Sequence, residues 1–262
     1  MFVDSHSHIH FKKEFPDTPG VIKRAKGNKV LGQILVGCTF NDSLAALDFA
    51  NKYADDNFWC ALGVHPHDAS DLDEEVINEF YQTAESEEKV VAIGEIGLDF
   101  FRNLSPKELQ YEAFEKQINL AKELDLPVIA HVRDAWTEAM NMLSKSGHKK
   151  VVLHSFTGDI ETACNAWDLG FITSFSGMIT YPKNEDMRDI VRVAPMEQIF
   201  IETDCPYLPP QKYRGQKNEP AFVVEVAKQI GELRNLSKEE VGRITTENAE
   251  RVFGIKIIPL SG

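Results

Sequence analysis

Eight short apolar runs, each followed by a polar stretch, constrain this chain more than any other feature. They cover residues 1–4, 31–37, 58–64, 90–95, 127–131, 151–154, 171–174 and 198–202. Most are continuous in Val, Ile, Leu, Phe and Ala and do not alternate with polar residues, which is the pattern of parallel strands covered on both faces. Helical spacing appears between them. Residues 43–53 carry an apolar stripe, 72–85 are acidic and amphipathic, and 106–124 place Leu109, Phe114, Ile118 and Ala121 on one face. Two further helices are expected within 220–253, the second capped by Ser237 with Glu240 three positions on. Such alternation predicts a parallel sheet with crossover helices, either closed into a barrel or open and doubly wound.

The residues that end the runs favour the barrel. The first runs into Asp4-Ser5-His6-Ser7-His8, the third ends at His65, the fourth at Glu95, the fifth at His131, the sixth at His154, and the eighth in Glu202-Thr203-Asp204. In a (β/α)8 TIM barrel the carboxyl ends of all strands meet on one face, where the active site sits. An open sheet would spread the same side chains along a line. His, Asp and Glu without Cys form the ligand set of a catalytic metal site, whereas structural zinc sites are rich in Cys. His6 and His8, two apart on an extended segment, point to one side and can reach one ion. A lone strand-end histidine is more often a packing residue than a ligand; it is the joint placement that points to metal chemistry. His10 is expected in a loop, His67 in a loop or the outer shell of the site, and His148, ahead of a strand, in solvent on the opposite face.

Composition narrows the class. With 262 residues and 43% apolar content, the chain can bury one sizeable core as one domain spanning 1–262. Its four cysteines, Cys38, Cys60, Cys164 and Cys205, form no C-x-x-C pair and are expected as buried free thiols. No apolar run approaches the roughly 20 residues of a membrane span, and the opening residues lack signal-peptide character, so a cytoplasmic protein is expected. The formal net charge of −13 argues against a protein that coats duplex nucleic acid. It does not exclude an enzyme that holds one strand end at bound metals, which needs only a local positive field. Nothing signals an oligomer, so a monomer is the default expectation.

From Phe2 to about Phe253 the chain resembles the TatD-type nuclease family, within the wider amidohydrolase-like barrel superfamily. The residues that carry the resemblance are Asp4-Ser5-His6-Ser7-His8, Gly63-Val64-His65-Pro66-His67, Gly94-Glu95-Ile96-Gly97-Leu98-Asp99, His131-Val132-Arg133-Asp134-Ala135 and His154-Ser155-Phe156-Thr157-Gly158. Glu202-Thr203-Asp204-Cys205-Pro206-Tyr207-Leu208, Arg214-Gly215 and Asn218-Glu219-Pro220 complete the series. The resemblance implies metal-dependent hydrolysis of phosphodiester bonds in DNA, with RNA as a second substrate, from a 3′ end. It implies two divalent ions, Mg²⁺, Mn²⁺ or Zn²⁺. His6, His8 and Asp204 would hold one, His131 and His154 the other, and Glu95 would bridge them. Glu at the bridging position, where many of the superfamily carry a carboxylated lysine, matches the nuclease branch.

Further roles are expected around that set. Asp204 is placed to orient a water or take its proton, and His65 to contact the phosphate or donate a proton to the leaving oxygen. Arg102 and Arg133 would supply positive charge beside the phosphate. Of the two, Arg133 is the better candidate for a structural role, with Asp134 and Glu138 nearby. Phe100 and Phe101 are expected to be buried beneath their loop rather than to stack on a base. Residues 205–220 would shape the rim, fixed by hydrogen bonds of Asn218. Two rival readings remain on the same fold: a barrel hydrolase of small esters, lactones or amides, and a catalytically silent binding protein.

Overall fold

A computed structural model of the chain describes residues 1–258; the last four residues of the expected 1–262 domain lie outside them. The elements follow one another as β1 (Phe2–Ser7), α1 (Thr18–Gly27), β2 (Val30–Val36), α2 (Phe40–Lys52), β3 (Phe58–Leu62), α3 (Glu74–Ser86), β4 (Val90–Asp99) and α4 (Lys107–Glu123). They continue as β5 (Val128–Arg133), α5 (Trp136–Ser146), β6 (Val151–Leu153), α6 (Ile160–Asp168), β7 (Ile172–Phe175), α7 (Glu185–Val193), β8 (Ile199–Ile201), α8 (Val223–Arg234) and α9 (Lys238–Phe253). All eight strands pair in parallel in chain order, giving the expected barrel rather than an open sheet. No helix among the described residues is long and apolar enough to cross a membrane.

Closure between β1 and β8 is made by few bonds. Ser7 bridges Cys205, His8 N–H donates to Cys205 O at 2.9 Å, and Asp204 N–H donates to His6 O at 2.9 Å. Asp4 adds a side-chain clasp: its carboxyl oxygens accept from Thr203 N–H at 2.8 Å and from Thr203 Oγ1 at 2.5 Å. Burial pushes the Asp4 carboxyl up to about 8, against the pull of those two bonds. The seam therefore joins the first strand to Asp204 directly.

Two apolar layers explain the continuous strand patterning. Val3, Ile34, Ala61, Ala92, Ile129, Val152, Ile172 and Phe200 pack with one another and with Phe253, Ile255 and Ile257, which follow from the end of α9. Their strand neighbours Leu35, Leu62, Ile93, Val128, Ala130, Leu153, Ile199 and Ile201 pack instead with helical residues such as Ala46, Ile118 and Ala163. Because side chains alternate along a strand, the first set fills the barrel interior and closes its lower end, and the second lies under the helices.

Following the inward positions upward leads to the polar cluster. Ala61 is followed on the same face by His65, Ile129 by His131 and Arg133, Val152 by His154, and Phe200 by Glu202 and Asp204. His6 and Glu95 have the wrong parity relative to Val3 and Ala92. One-residue register shifts correct this: β1 takes three steps from Asp4 to Ser7 while β2 takes two from Gln33 to Leu35, and β4 takes three from Ile93 to Ile96 while β5 takes two from Val128 to Ala130. Bulges of this kind re-aim a side chain across the sheet.

Local signals set the helices. Thr39, Asp73 and Asp159 cap α2, α3 and α6 through their side chains, and the expected Ser237–Glu240 capping box opens α9. Several sequence expectations are corrected. Leu109 is exposed, while two glutamines occupy the buried face of α4. Gln117 accepts from Val64 N–H at 2.8 Å and donates to Val64 O at 3.1 Å, and Gln110 accepts from Asp99 N–H at 2.8 Å. These satisfy the backbone where β3 and β4 end, a need that hydropathy does not register. His148 is buried, not solvated, with its ring 3.0 Å from Leu126 O. Cys60 and Cys205 are buried free thiols, but Cys164 is exposed.

Gly97 has φ +147°, and a Cβ there would lie 2.0 Å from His131 O. Gly97→Ala should cost on the order of 3 kcal/mol and lower the melting temperature by roughly 6–12 °C in calorimetry. Gln117→Leu should cost about 1–3 kcal/mol by stranding the Val64 amide and carbonyl; a melting temperature equal to that of the unsubstituted protein would refute that role.

Candidate metal centre

The inward side chains at the top of the barrel open into a cavity of about 660 Å³. Their ligand atoms fall into overlapping trios, each with all atoms within 4.8 Å of one another: His6, His8 and Asp204; His6, Glu95 and His154; His65, Glu95 and His131; His8, Cys38 and Glu95. Glu95 is the hub. Its Oε1 lies 2.7 Å from His131 Nδ1, 3.5 Å from His154 Nε2 and 3.6 Å from His65 Nε2, and its Oε2 lies 3.5 Å from His6 Nε2. Asp204 Oδ1 stands 3.5 Å from His8 Nε2 and 3.8 Å from His6 Nε2. The expected grouping of His6, His8 and Asp204 is thus one compact trio. His131 and His154 both approach Glu95 but do not share a trio.

The far side of each ring decides what its inner nitrogen can do. His8 Nδ1 donates to Val36 O at 2.8 Å, so in the neutral ring the Nε2 lone pair faces Asp204. His154 Nδ1 lies 2.8 Å from Glu202 Oε1, and His131 Nε2 lies 3.4 Å from Asp99 Oδ2, so both rings are backed by carboxylates. His65 differs. Its Nδ1 accepts from His67 N–H at 3.1 Å, so in the neutral ring the proton sits on Nε2 and points towards Glu95. That assignment rests on the hydrogen-bond partners. His65 Nε2 is therefore a donor into the cavity where His8 Nε2 is a lone pair.

Charge is distributed accordingly. Burial would raise Glu95, but the charge of His154 and hydrogen bonds from His131 and His6 hold it well below the usual carboxylate range. Burial lowers His154, yet Glu202 and Glu95 outweigh this and raise it to about 10. Burial and the neighbouring His154 push His6 down to about 4. Burial likewise holds His65 well below its ordinary value, as a neutral ring. Burial also lifts the Cys38 thiol well up, with Glu95 and Asp42 adding to it.

The donor set fits divalent ions. Among the described residues the ion-pair partners of Glu95, Asp99, Glu202 and Asp204 are all histidines, with no lysine or arginine. His6 Nδ1 and Glu202 Oε2 are buried with neither a hydrogen-bond nor an ion-pair partner. Buried carboxylates crowded this closely need a cation. Imidazole and carboxylate together suit Zn²⁺, Mn²⁺ or Fe²⁺, and the carboxylates admit Mg²⁺.

Around this centre the other expected residues take varied places. Arg102 and Arg133 both line the cavity. Arg133 forms no ion pair with Asp134 or Glu138 among the described residues; its guanidinium lies 3.9 Å from the centroid of the Phe101 ring. Phe101 is exposed, against the expectation of burial, and Phe100 is half-buried against Tyr111. Asn218 donates to Thr203 O at 2.8 Å and to Tyr207 O at 2.6 Å, fixing the loop after β8 as expected. His67 sits outside the centre, 2.7 Å from Asp99 Oδ2. His10, in a turn, is buried against Asp42 at 3.1 Å, and Asp42 also accepts from Cys38 N–H at 2.9 Å.

Three residues of the centre escape the sequence reading. Asp99 and Glu202 back the rings of His131 and His154, and Cys38 enters a trio with His8 and Glu95. Their signals were present: Asp99 shares parity with Glu95, Glu202 with Asp204, and Cys38 directly follows an apolar run.

Known proteins match this architecture. The family model for TatD-related DNases matches residues 3–254. A metal-dependent hydrolase of Bacillus subtilis, YabD, is 40% identical over 97% of this chain and 100% of its own length. The 3′-5′ ssDNA/RNA exonuclease TatD of Pantoea ananatis is 35% identical over 91% of this chain and 94% of its own. The crystal structure of YJJV, a TatD homologue from Escherichia coli K12, matches with a TM-score of 0.91 at 30% identity, over 97% of this chain and 98% of that one. With its eight-stranded barrel and its carboxylate hub among histidines, the chain belongs to the TatD-related DNase family of metal-dependent hydrolases that act on ester bonds.

Proposed function

We propose that residues 1–262 act as one catalytic domain, a metal-dependent nuclease that hydrolyses phosphodiester bonds in single-stranded DNA, and in RNA, from the 3′ end. One observation carries this reading. A buried set of carboxylates and imidazoles with no lysine or arginine among them opens into a cavity that Arg102 and Arg133 line. A phosphodiester needs that combination: divalent charge at the reacting phosphorus and guanidinium charge for its neighbours. The names of the relatives called 3′-5′ ssDNA/RNA exonucleases support this choice of substrate and direction.

In this reading His6, His8 and Asp204 hold one divalent ion, His131 and His154 contribute to a second, and Glu95 is shared. Ions so held would neutralise phosphoryl charge and lower the pKa of an attacking water. Asp204, at the edge of the cavity and 3.5 Å from His8, is placed to orient that water and accept its proton. His65 presents an N–H, not a lone pair, towards Glu95, so its role is to donate to a phosphoryl oxygen rather than to ligate. Glu202 and Asp99 keep the rings of His154 and His131 oriented.

Protein stripped of metal should leave a 3′-labelled single-stranded oligonucleotide intact and shorten it stepwise once Mg²⁺, Mn²⁺ or Zn²⁺ is restored. The Glu95→Ala, Asp204→Ala double variant should show no shortening and bind less metal by elemental analysis. Turnover of small esters or lactones with intact oligonucleotides would replace the nuclease by a small-ester hydrolase on the same centre. His65→Gln should lower kcat/KM by about 10²–10³-fold while bound metal per chain stays constant; a matching loss of metal would make His65 a ligand instead.

A further inference from the structure

We infer that Phe101 and Arg133 form a stacking platform for a nucleobase beside the scissile phosphate, so that the cleft takes a single strand with its bases turned out. This rests on the nuclease reading above and gives that site its substrate contact. Phe101 stands two residues past the end of β4, on the face of the barrel where the centre opens, and the residue is 60% exposed. Packing does not hold it there. Backbone pairing does: Asp99 is the register partner of Arg133, and Phe100 N–H donates to Arg133 O at 2.9 Å.

Arg133 completes the platform. It stands two residues beyond His131 on the inner face of β5, about 7 Å further up the strand. Its guanidinium has no carboxylate in ion-pair reach among the described residues and rests 3.9 Å from the Phe101 ring centroid. An exposed guanidinium close in sequence to Asp134 and Glu138 would pair with one of them if charge alone placed it. Instead a flat cation lies on a flat ring, at the wall of the cavity that holds Glu95 and His131. A nucleobase offers the same kind of face to both partners.

Across the mouth, β8 is four strands from β4 in an eight-stranded order, so its loop faces the loop of Phe101. Tyr207 stands there, 55% exposed, with its backbone carbonyl held by Asn218. Two exposed aromatic rings therefore flank the centre from opposite sides. Paired bases in a duplex present no free face to such rings, and the net charge of −13 disfavours a duplex lying across the rim.

The test is a cycle between protein and substrate. Holoenzyme kinetics are measured on a single-stranded oligonucleotide and on versions with an abasic site at either position flanking the scissile phosphate. Phe101→Ala should raise KM roughly 5- to 150-fold on the full oligonucleotide with kcat little changed, and Phe101→Trp should restore it. One abasic position should raise KM of the unsubstituted enzyme by a similar factor and erase its difference from Phe101→Ala. An unchanged KM in Phe101→Ala, or the same loss on every abasic substrate, overturns the platform while leaving the nuclease intact. If the unsubstituted enzyme cuts no oligonucleotide at all, both readings fall together.

Discussion

The carboxylate of Glu95 is buried at the top of the barrel, and much of the structure is arranged around keeping it there. An ionised carboxylate out of water costs several kcal/mol unless it is compensated, on the order of the penalties for buried ions generally. Four histidines from β1, the ends of β3 and β6, and β5 supply that compensation, each within 3.6 Å. Asp99 and Glu202 in turn face His131 and His154 from behind. The result is a layered network in which Glu95, Asp99 and Glu202 each face imidazole. Carboxylates and imidazoles crowded this way form a donor set suited to a metal ion.

Geometry makes that network affordable for the fold only because the barrel brings distant segments together. Asp204 and the His6–His8 segment meet through backbone hydrogen bonds across the β1–β8 seam, the same bonds that close the sheet. Closure and assembly of the His6, His8 and Asp204 trio are thus one event. The Asp4–Thr203 clasp lies just below, so the first and last strands are tied by both main chain and side chain. Below them the interior is apolar and sealed by residues that follow α9. Polar residues stay confined to the upper end, where the loops can reach them.

Charge is organised by height as well. The centre is acidic and imidazole-rich, its rim carries Arg102 and Arg133, and the molecule as a whole is at −13. Long-range attraction of a polyanion is therefore weak, and recognition has to be local. On the proposed nuclease reading, such an arrangement would grip a phosphate rather than a duplex surface. The exposed aromatic rings at the rim add contact area that does not depend on charge.

What the chain alone determined is the architecture and the chemical character of its site. Eight mostly non-alternating apolar runs call for strands covered on both faces, and because six of them end in His, Asp or Glu, the barrel, which brings those ends together, is favoured over an open sheet. Most of the centre was legible for the same reason: His131, His154 and Asp204 lie an even number of residues above an inward apolar position, so one repeat of two carries both. His6 and Glu95 break that repeat. The bulges in β1 and β4 that turn them inward depend on register with β2 and β5, and no local pattern records a register. The same holds for Gln110 and Gln117, polar residues on a buried helix face that answer to backbone groups elsewhere in the chain. Arg133 beside Asp134 and Glu138 in sequence lies instead on Phe101, because the strand carries it inward, away from its chain neighbours. Sequence fixes which groups are available; only the pairing of strands decides which of them face one another, since side-chain direction alternates with every residue and a single inserted step reverses it.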